Sequence, residues 1–165
     1  MQASQKPEKL GKPKLTTAMG RLTKAAAQLN KESDALNATL RSVETQIVES
    51  QVGLEVWMEK CLSSQEEERR GGENGWTSQF LGFARVDDDW CLAIKTRRYE
   101  TGFFQGDTSA PYQDQSAVGK PVRLDQSARQ LRIAALTQLP DLLEAIAEEA
   151  AASAEIINEA KALAE

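Results

Sequence analysis

Apolar residues recur along the first third of the chain in alternating steps of four and three, marking Leu15, Met19, Leu22, Ala26, Leu29, Ser33, Leu36, Leu40, Val43, Ile47, Ser50, Leu54, Trp57 and Cys61. Twelve of these fourteen positions are apolar, a repeat that keeps one seam of a helix turned toward a partner helix and so defines a coiled coil. The spacing predicts a heptad-repeat helix over residues 15–63, capped at Thr16 or Thr17, with Gly53 as its interior breaker and the run QEEERRGGENG from Gln65 ending it. Toward its end, Val48, Val52, Val56 and Met58 widen the apolar face, which requires a cover broader than one helix.

That cover is expected in residues 76–124, because eight of the nine aromatic residues fall between Trp76 and Tyr112. Phe80 to Val86 and Trp90 to Tyr99 alternate as strands, and Asp87, Asp88 and Asp89 read as a three-residue turn between them. In that register Phe80, Gly82, Ala84 and Val86 share a core face with Trp90, Leu92 and Ile94. The opposite face carries Arg85, Lys95, Arg97 and Tyr99 among Leu81, Phe83, Cys91 and Ala93. Residues 101–121 are polar and without period, and they read as a long loop.

A C-terminal helical region is predicted over residues 125–165, capped by Asp125 or Ser127 and divided at Pro140 into two segments. Leu142, Ile146, Ala150, Ser153, Ile157, Ala160 and Ala164 form its small-residue seam. These elements together imply an α+β fold: a long antiparallel, coiled-coil-like helical hairpin with a small antiparallel β-hairpin or meander inserted at one end, paired with a second copy into a four-helix bundle.

Charge sharpens this picture. The net charge of the 165-residue chain is -5, yet residues 1–24 carry Lys6, Lys9, Lys12, Lys14, Arg21 and Lys24 against Glu8 alone, whereas the last thirty or so residues are acidic. Residues 1–14, with Pro7, Gly11 and Pro13, read as a flexible basic tail. No apolar run approaches the roughly 18 residues of a membrane span, and no apolar signal core opens the chain. A cytoplasmic protein with no membrane partner is therefore expected.

The candidate chemistry is sparse. The chain has no histidine, which removes the commonest general base and zinc ligand together. Cys61 and Cys91 read as two buried thiols. Asp87 to Asp89 suit a turn, and the spaced acids, glycine and distal glutamate of a calcium loop are missing. With no nucleophile beside a base, no phosphate-cradling glycine loop and no metal-ligand spacing, neither catalysis nor a cofactor or metal is expected. The expected function is that of a non-catalytic protein–protein interaction or scaffold protein. It would homodimerise through Leu22, Leu29, Leu36, Leu40, Val43 and Ile47, and would meet a protein partner through Phe83, Lys95, Arg97, Arg98, Tyr99, Phe103, Phe104 and Tyr112.

Two other readings compete. A nucleic-acid-associated regulator would use Lys6, Lys9, Lys12 and Lys14 with an arginine cluster of Arg85, Arg97, Arg98, Arg123, Arg129 and Arg132. Interleaved Asp87, Glu100, Asp107 and Asp125 count against it, since a nucleic-acid footprint dominates the charge of its face. A small-ligand-binding protein would need a pocket with convergent polar groups beside the β segment.

Overall fold

The computed structural model describes residues 12–68, 74–104 and 107–164, and the chain divides into two compact units, Met1–Ala35 and Leu36–Glu165. In chain order the elements are α1 (Lys12–Glu49), β1 (Val56–Glu68), β2 (Asn74–Val86), β3 (Asp89–Phe104), β4 (Asp107–Ala117), β5 (Val122–Arg123), a short 3-10 turn over Leu124–Gln126, and α2 (Arg129–Ala164). In the first unit, residues 12–35 are helical, and Ser33 is the buried position there, its hydroxyl donating to the Leu29 carbonyl at 2.7 Å.

The expected helical hairpin with a small β insert is not what forms. A five-stranded antiparallel sheet, with β1 to β4 in sequential order and β5 beside β3, occupies the middle of the chain, α1 precedes it and α2 follows it. Neither a coiled coil nor a helical bundle is present among the described residues. The heptad seam is real only as far as Ile47: α1 stops at Glu49, Ser50 caps the last turn through its hydroxyl on the Ile47 carbonyl, and Gln51 and Gly53 both adopt left-handed backbone. Two such residues in three positions cannot continue a helix. Beyond them Val56, Met58 and Leu62 alternate with outward residues as a strand, which serves the apolar pattern just as well.

The second unit has one main core. Leu81, Phe83, Leu92 and Ile94 project from one face of the sheet and meet Leu40 and Ile47 of α1 and Ala135, Leu139, Leu142 and Ile146 of α2, with Leu124 among them. Leu36, Val43, Val52, Val56, Met58, Leu62, Trp90 and Leu131 pack around its edge. Pro140 does not divide the C-terminal region, because α2 is continuous from Arg129 to Ala164. Pro140 and Leu136 are both exposed, so the Leu136 carbonyl that proline deprives of a donor faces solvent rather than the core.

The register of β2 and β3 differs from the expected one by a single residue. Val86 pairs with Asp89 across a two-residue turn, Asp87 and Asp88, whose φ values of 50° and 72° are those of a type I′ hairpin turn. Aspartate tolerates this left-handed backbone, and Arg85 braces it by donating from Nε to the Asp88 carbonyl at 3.0 Å. The shift exchanges the faces of β2: Leu81 and Phe83 point to the helices, and Phe80, Gly82, Ala84 and Val86 join Cys91 and Ala93 on the opposite side. Residues 101–117, expected as part of a loop, mostly continue β3 and form β4.

On that second face Trp57 packs against Ala84, Val86, Cys91 and Ala93. Trp57 pairs with Gly82 across β1 and β2, and a β-carbon added at Gly82 would overlap the Trp57 ring and lie 2.6 Å from the Val56 carbonyl oxygen. Backbone cannot step aside as a flexible side chain can. Gly82→Ala is therefore expected to destabilise the fold by about 1–3 kcal/mol, read as a lower thermal midpoint together with a shifted Trp57 emission; an unchanged midpoint would contradict this close approach.

Candidate functional site

Alternation along β3 sends Lys95, Arg97 and Tyr99 to the face away from the helices, beyond the small residues Cys91 and Ala93. Trp76 pairs with Tyr99 and Gln115 of β4 pairs with Tyr99 from the other side, so all three share this face. The Trp76 and Tyr99 rings stack with centroids 5.4 Å apart and planes 10° from parallel. At the other end, the Lys95 ammonium lies 4.5 Å over the Trp57 ring, whose Nε1 donates to Glu55 at 2.5 Å. Arg97 sits between, donating to the Gln115 amide oxygen at 3.4 Å. The result is a strip in the order Trp57, Lys95, Arg97, Tyr99, Trp76, each half-buried along its stem.

Burial of Lys95 in this strip, and secondly the adjacent Arg97, hold its ammonium below the ordinary lysine range, with Glu55 acting in the opposite sense. Among the described residues neither Lys95 nor Arg97 meets a carboxylate in an ion pair. The other strand arginines do: Arg85 with Asp88 at 3.3 Å, Arg98 with Glu100 at 3.3 Å, and Arg123 with Glu44 at 3.2 Å and Asp125 at 3.5 Å.

Of the expected partner-binding residues, the structure thus brings Lys95, Arg97 and Tyr99 together. Phe83 is buried and stacks on Trp90 at 5.4 Å beneath the helices. Arg98 lies on the helix-bearing face with Glu100. Phe103 and Phe104 belong to β3 and Tyr112 to β4 by backbone pairing, and their side chains lie outside the described residues. Of the expected dimerisation residues, Leu40 and Ile47 are core, and Leu36 and Val43 pack against it. Leu22 and Leu29 stay 60% and 47% exposed, with Leu15 and Met19 likewise open. Lys14 is an exposed residue of α1, Lys12 belongs to the same helix, and Lys6 and Lys9 lie outside the described residues. Trp57 and Trp76 were not foreseen in the strip; the alternation of Trp57 between Val56 and Met58 was the available signal.

Glu44 links α1 to the sheet. In the β2–β3 ladder Leu92 is a non-hydrogen-bonded partner of Phe83, so its N–H points outward, past the end of the short β5. Glu44 accepts that N–H at 2.8 Å through one oxygen and Arg123 at 3.2 Å through the other. Replacing Glu44 with Ala leaves a strand donor unmade and is expected to cost about 1–3 kcal/mol, whereas Glu44→Gln, which keeps an acceptor, should cost less. Denaturant midpoints of the two variants give the comparison, and equal losses would refute the strand-donor role.

Two apolar or polar recesses lie elsewhere in the second unit. One of about 270 Å3 is lined by Ile47, Val48, Gln51, Val52, Gly53, Phe83 and Trp90. Another of about 410 Å3 lies among Ser63, Gln65, Thr77, Gln79, Ala128, Gln130 and Leu131. Neither gathers a charged group. Among the described residues, no set of three or more Asp, Glu or Cys side chains is arranged to hold a metal ion, and no helix is long and apolar enough to cross a membrane. Comparison with protein-family models, with curated proteins and with solved structures finds no match for the chain.

Cys91 is fully buried, and burial pushes its thiol from 9.0 up to about 11, against a smaller opposing pull from Arg123. A thiol protonated at neutral pH is a poor nucleophile. Cys61, half-buried on β1, should therefore be alkylated in the native chain while Cys91 labels only on unfolding, as peptide mass spectrometry would show. Because the folded value lies above the unfolded one, the stabilising contribution of Cys91 is complete below about pH 9 and is lost as pH rises toward 11. Thermal midpoints across that window should fall more steeply for the native chain than for Cys91→Ala.

Proposed function

We propose that this is a non-catalytic interaction protein that self-associates through α1 and presents its sheet to another protein. The observation that carries this reading is the apolar ladder of Leu15, Met19, Leu22 and Leu29, each close to half exposed or more, on the same heptad seam whose later members Leu40 and Ile47 are buried. Apolar side chains spaced along one helix face and left open to water favour a cover. A second copy suits it: the charges along this part of α1 change sign, from Lys14, Arg21, Lys24 and Lys31 to Glu32 and Asp34, so two such faces packed antiparallel about a two-fold axis bring the basic start of one helix beside Glu32 and Asp34 of the other.

The sheet strip supplies the outward-facing half of the reading. Its aromatic rings and uncommitted cations are groups that bind rather than react. Light scattering of the native chain should report a dimer at micromolar concentration, and Leu22→Glu combined with Leu29→Glu should shift it to monomer. Both positions lie outside the core cluster, so the thermal midpoint and tryptophan emission of the sheet should hold. A native chain that stays monomeric throughout this concentration range would refute self-association.

A further inference from the structure

We infer that the strip from Lys95 to Trp76 is a docking site for an extended acidic segment of a partner protein, with carboxylates on alternate residues. The inference rests on the proposed role of the sheet as the partner-facing surface and names what that surface takes. Lys95 and Arg97 are two positions apart on one strand, so their stems leave the sheet about 7 Å apart. Alternate side chains of an extended peptide leave their backbone at the same spacing. Such a peptide laid along β3 sets one carboxylate against the ammonium and the next against the guanidinium, which can take it through two parallel N–H bonds.

The charge arrangement selects the ligand. Lys95 and Arg97 form no ion pair among the described residues, and Lys60 of β1 forms none either, while Arg85, Arg98 and Arg123 are already paired. The stacked Trp76 and Tyr99 rings beside Arg97 offer an apolar platform for the segment's next side chain. Gln115 and Ser64 border the strip with neutral groups; Ser64 already accepts a bond from the Ser78 hydroxyl at 3.1 Å. Glu55 beside Trp57 and Glu66 opposite Trp76 close its two ends with negative charge. Two cations between two acids match a short acidic stretch. A single-stranded nucleic acid also stacks on aromatic rings, but its continuous phosphates require a longer basic track, and the terminal carboxylates would repel it.

The test uses the full chain and a fluorescein-labelled short peptide of alternating Glu and Val, with an alternating Lys and Val peptide and labelled oligo-deoxythymidylate as comparisons. Anisotropy should rise to saturation with the Glu peptide alone. Arg97→Gln and Lys95→Gln should each weaken binding by about tenfold, Arg97→Lys should weaken it less, and Tyr99→Ala should also weaken it. Thermal midpoints near that of the native chain show that the variants are folded. No saturation, saturation unaffected by Arg97→Gln in a folded chain, or preference for the oligonucleotide each overturns the inference. Light scattering on the same samples separates the two readings: a dimer that ignores the Glu peptide rejects the ligand alone, and a monomer that binds it rejects self-association alone.

Discussion

The register of the β2–β3 hairpin decides what every other element can do. Side chains alternate along a strand, so a slip of one residue moves a whole apolar set from one face to the other. The two-residue turn at Asp87 and Asp88 holds the pairing that sends Leu81, Phe83, Leu92 and Ile94 to the helices. It also sends Gly82, Ala84, Cys91 and Ala93 to the opposite face, where small size lets Trp57 lie close against the strands. Left-handed aspartates are less costly than β-branched residues would be there, and Arg85 adds both a hydrogen bond and an ion pair to Asp88.

From that register follows a division along the length of the sheet. Near the turn both faces are apolar and covered. Farther out, the positions paired across β2 and β3 become Ser78 with Arg97, Thr77 with Arg98, and Trp76 with Tyr99, so polar and charged groups enter beside one stacked aromatic pair. On the helix-bearing face this polarity is internally answered, by Arg98 with Glu100 and by the Ser63 hydroxyl on the Gln79 amide oxygen at 2.9 Å. On the other face Lys95 has a ring beneath it, with Glu55 acting on it through space, and Arg97 has an amide beside it, so neither forms an ion pair among the described residues. The same strand that builds the core thus places the strip at a fixed distance from it.

Much of the chain is legible from its pattern because burial and period agree. Leu36, Leu40, Val43 and Ile47 repeat as a helix and are taken up as one, and Phe80 to Tyr99 alternate as strands and are strands. The misreadings fall where two periods fit the same residues. Leu54, Trp57 and Cys61 continue the heptad arithmetic, yet Val56, Met58 and Leu62 also satisfy a bulged strand, whose irregular pairing between Trp57 and Ser63 hides its alternation. Turn length was ambiguous because three consecutive aspartates fit either a two- or a three-residue turn, and only the pairing of Val86 with Asp89 distinguishes them. The partner of the seam was the other gap: periodicity shows that a face is apolar, but not whether a helix or a sheet covers it.

That last distinction bears on function. Leu40 and Ile47 of the seam are taken into the core, whereas Leu15, Met19, Leu22 and Leu29 keep about half or more of their surface exposed. The polar groups divide in the same way. Glu44 is occupied by a strand N–H and Arg123, and burial raises the pKa of the Cys91 thiol. Lys95, Arg97, Tyr99 and Trp76 are half-buried, Lys95 over the Trp57 ring, Arg97 on the Gln115 amide oxygen and the two rings stacked on each other. The apolar and cationic groups that folding does not take up lie along the exposed stripe of α1, on the outer face of the sheet and, as Ile156, Ile157 and Leu163, toward the end of α2.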